Sequence, residues 1–545
     1  MRAHVEELRA VELIYEKAAH PELAFMFKHA LTHDVAYESV VADRRRDLHR
    51  TIGLAIEELY ADRLAEFYET LAHHFERAEE WERALDYRER AVAKAADAFA
   101  NLAVVAHCRQ ALAIADRLGD RVDVARRVRL EEHLGAALFY VSEFRASADA
   151  YERAAALVPD DAARAHQLFR ASMSALWGHE YARVDTTCAA AVAIARRTLP
   201  PGVDSILLVM RDWKLAICTG DMDAWRQNLD RPYAVAMRLG DEEAVASIRL
   251  LLAMRAEWTG DYRSAIAFSE QVVAAGRKLR LPHLVVWPEW FLGKAYCCLG
   301  DYGRALARLA DAADVCRRIG DRAWASRLLN TLGWCHAEIG AADRARDFNE
   351  RAAAIARVIG DPEIVSNSEI NLATNWLALG DLERAREYLD PIRTAVEAPG
   401  DPWMRWRYTL HLHDVVGRAA LVARNPDAAL AAADTELAGA RRFQAPKVEA
   451  RAQTLRGEAL LALERRRDAD EALRDAVRIA ERIAYPRATW DALGLLAETA
   501  RRDGRSEDAA RAAAARRTVL DTAAASLGDA DLRRALARHA ADDAS

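Results

Sequence analysis

Thirteen tryptophans are many for a chain so rich in alanine and arginine. Indole suits partner anchoring, because it offers a wide apolar face, one N–H donor and a π surface that attracts cations. Trp287, Trp290, Trp324, Trp334, Trp376, Trp403 and Trp406 cluster in one stretch of the chain. Most large aromatics in a helical protein fill gaps between helices. Those that face a concave surface instead grip a peptide, with arginines as polar neighbours. The partner-binding candidates are therefore Trp287, Trp290, Trp334, Trp376, Trp403 and Trp406 with Arg405, and Arg407 and Lys294 stand nearby in sequence. Other reactive types do not converge. His411 and His413 are two apart, so on a helix their imidazoles point to different faces and do not share a metal; His73-His74 fails the same way. Cys297-Cys298 and Cys335 read as small buried apolar groups. The chain has no Gly-x-Ser-x-Gly elbow, no Cys-x-x-Cys, no His-Glu-x-x-His and no Gly-Lys-Ser/Thr phosphate loop. No catalytic residue, metal site or cofactor is expected, and the chain reads as a non-enzyme.

What positions the tryptophans is a ruler. Gly220, Gly240, Gly260, Gly300, Gly320, Gly340, Gly360, Gly380 and Gly400 stand at every twentieth position with one gap, and aspartate follows eight of them. Glycine ends a helix in the left-handed conformation, and aspartate starts the next by accepting from an orphan N–H. Each Gly-Asp pair is thus a stop and a start, and two helices make a unit of about 40 residues. Arg280 stands where the ruler asks for glycine, which leaves Pro282 as the expected breaker, and Pro288 falls early in the next helix. Ala265, Ala305, Ala345 and Ala385 recur near the start of second helices. Leu292-Gly293, Leu332-Gly333 and Leu372-Ala373 recur inside first helices, where a small residue lets neighbours approach. The register reads as looser before residue 203 and after 403.

The 545 residues are 52% apolar, ample for a large core, and 30% charged with a net charge of −7. That balance argues against nucleic acid as a partner. No apolar run is long enough to span a membrane, and the first residues lack the apolar core of a signal peptide. Seven cysteines without framework spacing fit a reducing, cytoplasmic setting. Four segments are expected. Residues 1–60 contain a hairpin of Val11–Tyr15 and Leu23–Phe27 about a His20-Pro21-Glu22 turn, then two helices. Residues 61–202 are helix pairs in looser register, 203–520 the regular array, and 521–545 a capping helix and tail.

Leu292-Gly293-Lys294-Ala295-Tyr296 followed by Gly300-Asp301-Tyr302-Gly303-Arg304-Ala305 resembles the tetratricopeptide repeat pattern. The resemblance implies an all-α, right-handed solenoid of antiparallel helix pairs, here in the longer units that the ruler sets, with a concave groove that takes a protein or peptide. A second resemblance lies upstream. Phe27-Lys28-His29-Ala30-Leu31-Thr32-His33-Asp34-Val35-Ala36-Tyr37-Glu38-Ser39, Arg44-Arg45-Arg46-Asp47-Leu48-His49-Arg50-Thr51-Ile52-Gly53 and Leu71-Ala72-His73-His74-Phe75 resemble the junction of multidomain bacterial class III adenylate/guanylate cyclases. There a STAND-type ATPase module ends in a winged-helix-like part and leads into tetratricopeptide repeats. That resemblance covers about residues 11–115. It implies that residues 1–60 are a winged-helix-like remnant and that His29 is a nucleotide-sensing remnant. It also implies that catalysis and nucleotide hydrolysis would lie upstream of this chain. The expected function is a non-catalytic regulatory scaffold in signal transduction, whose partner is a peptide, a protein, or a cyclase or STAND ATPase domain. The alternatives are a small-ligand-sensing solenoid like the maltose-regulon activator, or the tail of a truncated cyclase.

Overall fold

The computed structural model describes residues 2–18, 24–397 and 405–541. Gly400, Asp401, Trp403, the His20-Pro21-Glu22 turn and the end of the tail lie outside the described residues. The chain divides into two compact units, 1–99 with 103–134, and 100–102 with 135–545.

In the first unit, α1 (Arg2–Ala10) precedes an antiparallel hairpin of β1 (Ile14–Ala18) and β2 (Ala24–Phe27), with Ile14 opposite Phe27 and Tyr15 opposite Met26. The first strand begins later than the β-forming run, because Glu12 turns the chain with a φ of 56°. Then come α2 (Ala30–Ser39), α3 (Ala42–Leu59), α4 (Tyr68–Arg77) and α5 (Trp81–Asp97). Helices α6 (Asn101–Leu118) and α7 (Val124–Tyr140) are divided between the two units.

The second unit is helical among its described residues. It runs through α8 (Phe144–Leu157), α9 (Asp161–Trp177), α10 (Tyr181–Thr198), α11 (Val203–Thr219), α12 (Met222–Leu239) and α13 (Glu242–Trp258). It continues with α14 (Tyr262–Leu279), α15 (His283–Cys298), α16 (Tyr302–Ile319), α17 (Arg322–Ile339), α18 (Ala342–Ile359), α19 (Pro362–Ala378) and α20 (Leu382–Glu397). It ends with α21 (Arg405–Val422), α22 (Pro426–Arg442), α23 (Pro446–Ala462), α24 (Arg466–Arg482), α25 (Pro486–Arg502), α26 (Ser506–Ala525) and α27 (Ala530–Ala541). From α8 onward each helix packs on the next. From α13 to α25 each odd-numbered first helix also touches the following first helix, so they form one layer of the solenoid.

The ruler works as local chemistry. Asp221, Asp241, Asp261, Asp301, Asp321, Asp361 and Asp381 each accept from the backbone N–H three residues on, at 2.8–3.3 Å. Arg280 does not hand the stop to Pro282; it adopts the left-handed conformation itself, with φ 57°. Pro288 lies inside α15 without ending it. After residue 403 the register is not looser but displaced. Left-handed residues recur at every twentieth position at Arg424, Gln444, Glu464, Ala484 and Gly504, and the step from Gly380 to Arg424 exceeds the period by four. The alanine column resumes with the same offset at Ala429, Ala469 and Ala509, all buried like Ala265 and Ala385. The small-residue column resumes at Gly417, Gly457 and Ala497. A methyl group on Gly293, Gly333 or Gly457 would lie within 2.6 Å of the side chain sixteen positions on, namely Leu309, Asn349 or Leu473. These positions must be small because the second helix of the pair crosses there.

Within this unit the superhelix returns on itself. The Trp258 indole donates to the Phe443 carbonyl at 2.7 Å, and Trp406 donates to the Ile217 carbonyl. Ser526 Oγ donates to the Gly300 carbonyl at 3.1 Å. Gly220 is therefore needed twice, for its φ of 69° and because a methyl there would lie 2.4 Å from Phe443.

Candidate functional site

The inner faces of α17, α19, α21 and α23 enclose a concave groove of about 380 Å³. Helical periodicity decides which residues line it. Asn330 and Trp334 come from α17, Asn367, Asn371 and Thr374 from α19, Arg407, His411, Asp414 and Arg418 from α21, and Lys447 and Arg451 from α23. These spacings of three and four put each set on one helix face.

Most of the residues that line it are polar or charged, and its centre is an asparagine network. Asn349 Nδ2 donates to the Asn330 carbonyl at 3.0 Å and to its Oδ1 at 2.8 Å. Asn371 Nδ2 donates to the same Oδ1 at 3.0 Å, and Asn375 Nδ2 to Asn349 Oδ1 at 2.7 Å. Asn349 is fully buried, and it occupies the slot that leucine fills at 309, 389 and 473. A polar side chain in a leucine slot costs desolvation unless fully bonded. Here it is bonded, and it orients amides toward the groove. Asn375 Oδ1, almost completely buried, has no donor among the described residues.

The charges around this network are mostly neutralised in place. Asp414 accepts from Arg418 at 2.9 Å and from Arg451, and Arg451 also reaches Glu338 at 3.1 Å. Burial raises the Asp414 carboxyl, but Arg418 and Arg451 outweigh it and hold the group well below the usual carboxylate range. Lys294 pairs with Glu257 at 2.6 Å with its ammonium 4.0 Å from the Trp290 ring; burial pushes that lysine down to about 8 against the pull of Glu257. Burial, aided by Arg407, Lys447 and Arg451, pushes His411 well below its ordinary value, so it is neutral at pH 7. Lys447 is different. Its ammonium lies 4.6 Å from the Trp334 ring centre and makes no ion pair among the described residues.

The sequence candidates are dispersed by this arrangement. Trp334 lines the groove. Trp290 is buried and donates to Thr331 Oγ1 at 2.6 Å. Trp406 packs against Trp258 and Phe443 where the superhelix closes, and Arg405 begins α21, half-buried. Trp376 is held between the guanidinium groups of Arg346 and Arg384, away from the groove residues. Trp287 lines a second, apolar cavity. Trp403 lies outside the described residues. His29 sits in the first unit at the N-cap of α2, exposed and without a side-chain capping bond. The asparagines were missed, although their signal is in the columns: Asn330 stands between Trp290 and Ile370 in a column that is otherwise apolar there, and Asn349 stands between Leu309 and Leu389. Among the described residues no cluster of histidine, cysteine or carboxylates has metal-binding geometry, and no helix is long and apolar enough to cross a membrane.

Comparison with known proteins agrees on the architecture. Residues 285–357 match the tetratricopeptide repeat family. None of the curated proteins compared with the chain matches it. A Rap protein solved in complex with the competence and sporulation factor is 12% identical, with a TM-score of 0.50 over 66% of this chain and 98% of that one. The Cut9–Hcn1 hetero-tetramer of APC/C is 13% identical, with a TM-score of 0.46 over 93% and 95% of the two chains. Aspartyl phosphate phosphatase F from Bacillus subtilis is 10% identical, with a TM-score of 0.42 over 66% and 94%. The chain is an all-α solenoid of tetratricopeptide-like helix pairs, with the repeat family itself matched over 285–357.

Proposed function

We propose that this protein is a non-catalytic binding scaffold whose groove, between α17 and α23, takes an extended peptide segment of a partner protein. One observation carries the reading: Asn330, Asn371 and Asn375, joined in one network with Asn349, line the groove, and Asn349 holds a slot that leucine fills at 309, 389 and 473. A carboxamide has a donor and an acceptor side by side, as a peptide bond does, so it can bond an extended main chain regardless of sequence. Lys447, without a carboxylate of its own, would select an acidic residue or a C-terminal carboxylate. Trp334 beneath it supplies the apolar contact. The Rap protein of the comparison was itself solved as a complex. The narrower reading, a cyclase or STAND ATPase as the partner, rests on the resemblance of the Phe27–Ser39, Arg44–Gly53 and Leu71–Phe75 strings.

The test is selection of a displayed random-peptide library on the full chain, followed by calorimetry on Asn349→Leu. That variant places leucine in the seam but leaves the buried Asn375 amide without its acceptor, so it should cost about 1–3 kcal/mol of stability, read by urea unfolding before the affinities are compared. Selected peptides should carry an acidic group and lose affinity about tenfold, or about 1.4 kcal/mol. Peptides that bind the variant unchanged would sink the reading. So would turnover of ATP or GTP with a divalent metal above a no-protein control, because the scaffold is read as non-catalytic.

A further inference from the structure

The second large cavity of the solenoid has the opposite chemistry. It measures about 450 Å³ and lies between α7, α9, α11, α13 and α15. Its walls include Phe139, Phe169, Met173, Ile206, Met210 and Leu251. Trp287 closes one side and is fixed there by stacking on Trp324, with ring centres 4.9 Å apart and planes 18° apart. A volume of this size with mostly apolar walls and few polar groups is the usual form of a small-molecule pocket. The methionines add walls that adapt to shape.

The polar groups facing it are largely committed elsewhere. The Tyr140 hydroxyl and His283 Nδ1 bond each other at 3.1 Å. The Asp241 carboxylate caps α13 by accepting from Ala244 at 3.0 Å. Ser174 Oγ bonds Ser147 Oγ at 2.8 Å. The Arg170 guanidinium lies against the Tyr151 ring, 5.8 Å from its centre. Burial, with Arg170 nearby, pushes His283 down to about 4, so the imidazole is neutral at pH 7. Asp241 and Glu243 are exposed on the solvent side, where they disfavour an anion. His166 and Ser247 also line it, both at least partly open to solvent. Among the buried side chains one donor is left over: Trp287 is 6% exposed, and its indole N–H has no acceptor among the described residues. A buried donor without a partner is costly, and an acceptor on a bound molecule would remove that cost. A peptide would bring a repeating series of amides to walls that leave this donor as the buried side-chain group to meet them.

We propose that this cavity binds one small, uncharged, largely apolar molecule bearing a hydrogen-bond-accepting oxygen, with the Trp287 indole N–H as its donor. The proposal is independent of the peptide groove.

Prodan, an uncharged naphthalene ketone, is the probe, and anilinonaphthalene sulfonate is its anionic counterpart. Prodan should bind the full chain at one saturable site, with blue-shifted emission excited by energy transfer from tryptophan. The sulfonate should bind at least tenfold more weakly. Met210→Trp and Met173→Trp, which fill the cavity from different helices, should each abolish the site, and Trp287→Phe should weaken it about tenfold. No saturable Prodan binding would overturn the proposal, and that measurement on the parent chain decides it even if both filled variants fail to fold. Equal affinity for the sulfonate, or unchanged binding in folded filled variants, would also overturn it. Unchanged Prodan affinity in Trp287→Phe would overturn the assignment of the donor.

Discussion

The groove and the cavity are both framed by first helices of one solenoid, yet they are built on opposite terms. The groove keeps charge and amide chemistry in a concavity that packing would otherwise close, and it satisfies nearly every group internally. The cavity keeps empty volume where packing would otherwise fill it, and leaves one indole donor unmet. On the reading proposed above, the groove takes a polar, extended partner and the cavity does not. The difference teaches that a repeat sets where inner faces lie, while the few residues that break its columns set the chemistry those faces present.

The largest test of this contrast is Asp414→Ala. It leaves Arg418 and Arg451 beside a buried site without their shared carboxylate, and removing one partner of a buried pair costs about 3–5 kcal/mol. The volume-conserving Met210→Leu in the cavity should cost less than about 1.5 kcal/mol. Urea unfolding of both variants checks it; equal losses would erase the distinction between a charge-locked groove and an adaptable cavity.

Acid comes next. His283 is pushed to about 4 in the folded chain, against 6.5 when free of its surroundings. The unfolded chain then binds more protons between those values, so stability is intact above pH 6.5 and falls as pH drops toward 4. His411 is also depressed, by burial and the neighbouring cations, and likewise costs stability in the groove as the pH falls below the ordinary imidazole value. The Asp414 carboxylate stays ionised throughout it. His283→Gln should remove on the order of 2 kcal/mol of the decline. If neither His283→Gln nor His411→Gln flattens the curve, neither imidazole is held below its ordinary value and burial does not govern their protonation.

The smallest effects lie at the turns that hang both sites on one frame. Gly240 has a φ of 69°, and a methyl added to it would meet open space. Gly240→Ala should therefore cost about 1 kcal/mol from backbone strain alone. Ala484, with φ 53° in the displaced half, should respond oppositely, and Ala484→Gly should gain up to about 1 kcal/mol. Thermal melts of the two decide whether the displaced half of the ruler carries the strain that its non-glycine residues imply.

Much of this frame was legible because it is local. The Gly-Asp pairs named most of the stops and caps between α11 and α20, with exceptions at Arg280 and Ala341, and the alanine and glycine columns named the seam. The ruler was lost after 403 because a displacement of four and non-glycine turns at Arg424, Gln444, Glu464 and Ala484 hid a period that the backbone keeps. The tryptophans were legible as a group but not by role. An indole at Trp376 or Trp406 has the same sequence signature whether it meets solvent, a guanidinium or a helix far along the chain.

The sequence by itself determined the helix pairs, where most of their helices start and stop, and the face each buries, since caps, left-handed turns and small seam residues act within a few positions of themselves. Only the tertiary structure decided that Asn330, Asn371 and Asn375 meet around Asn349, that Lys447 stands over Trp334 without a carboxylate, and that Trp287 looks into a cavity. Those meetings depend on the crossing of successive helices and on the return of the superhelix, small rotations summed over many units that no local pattern records.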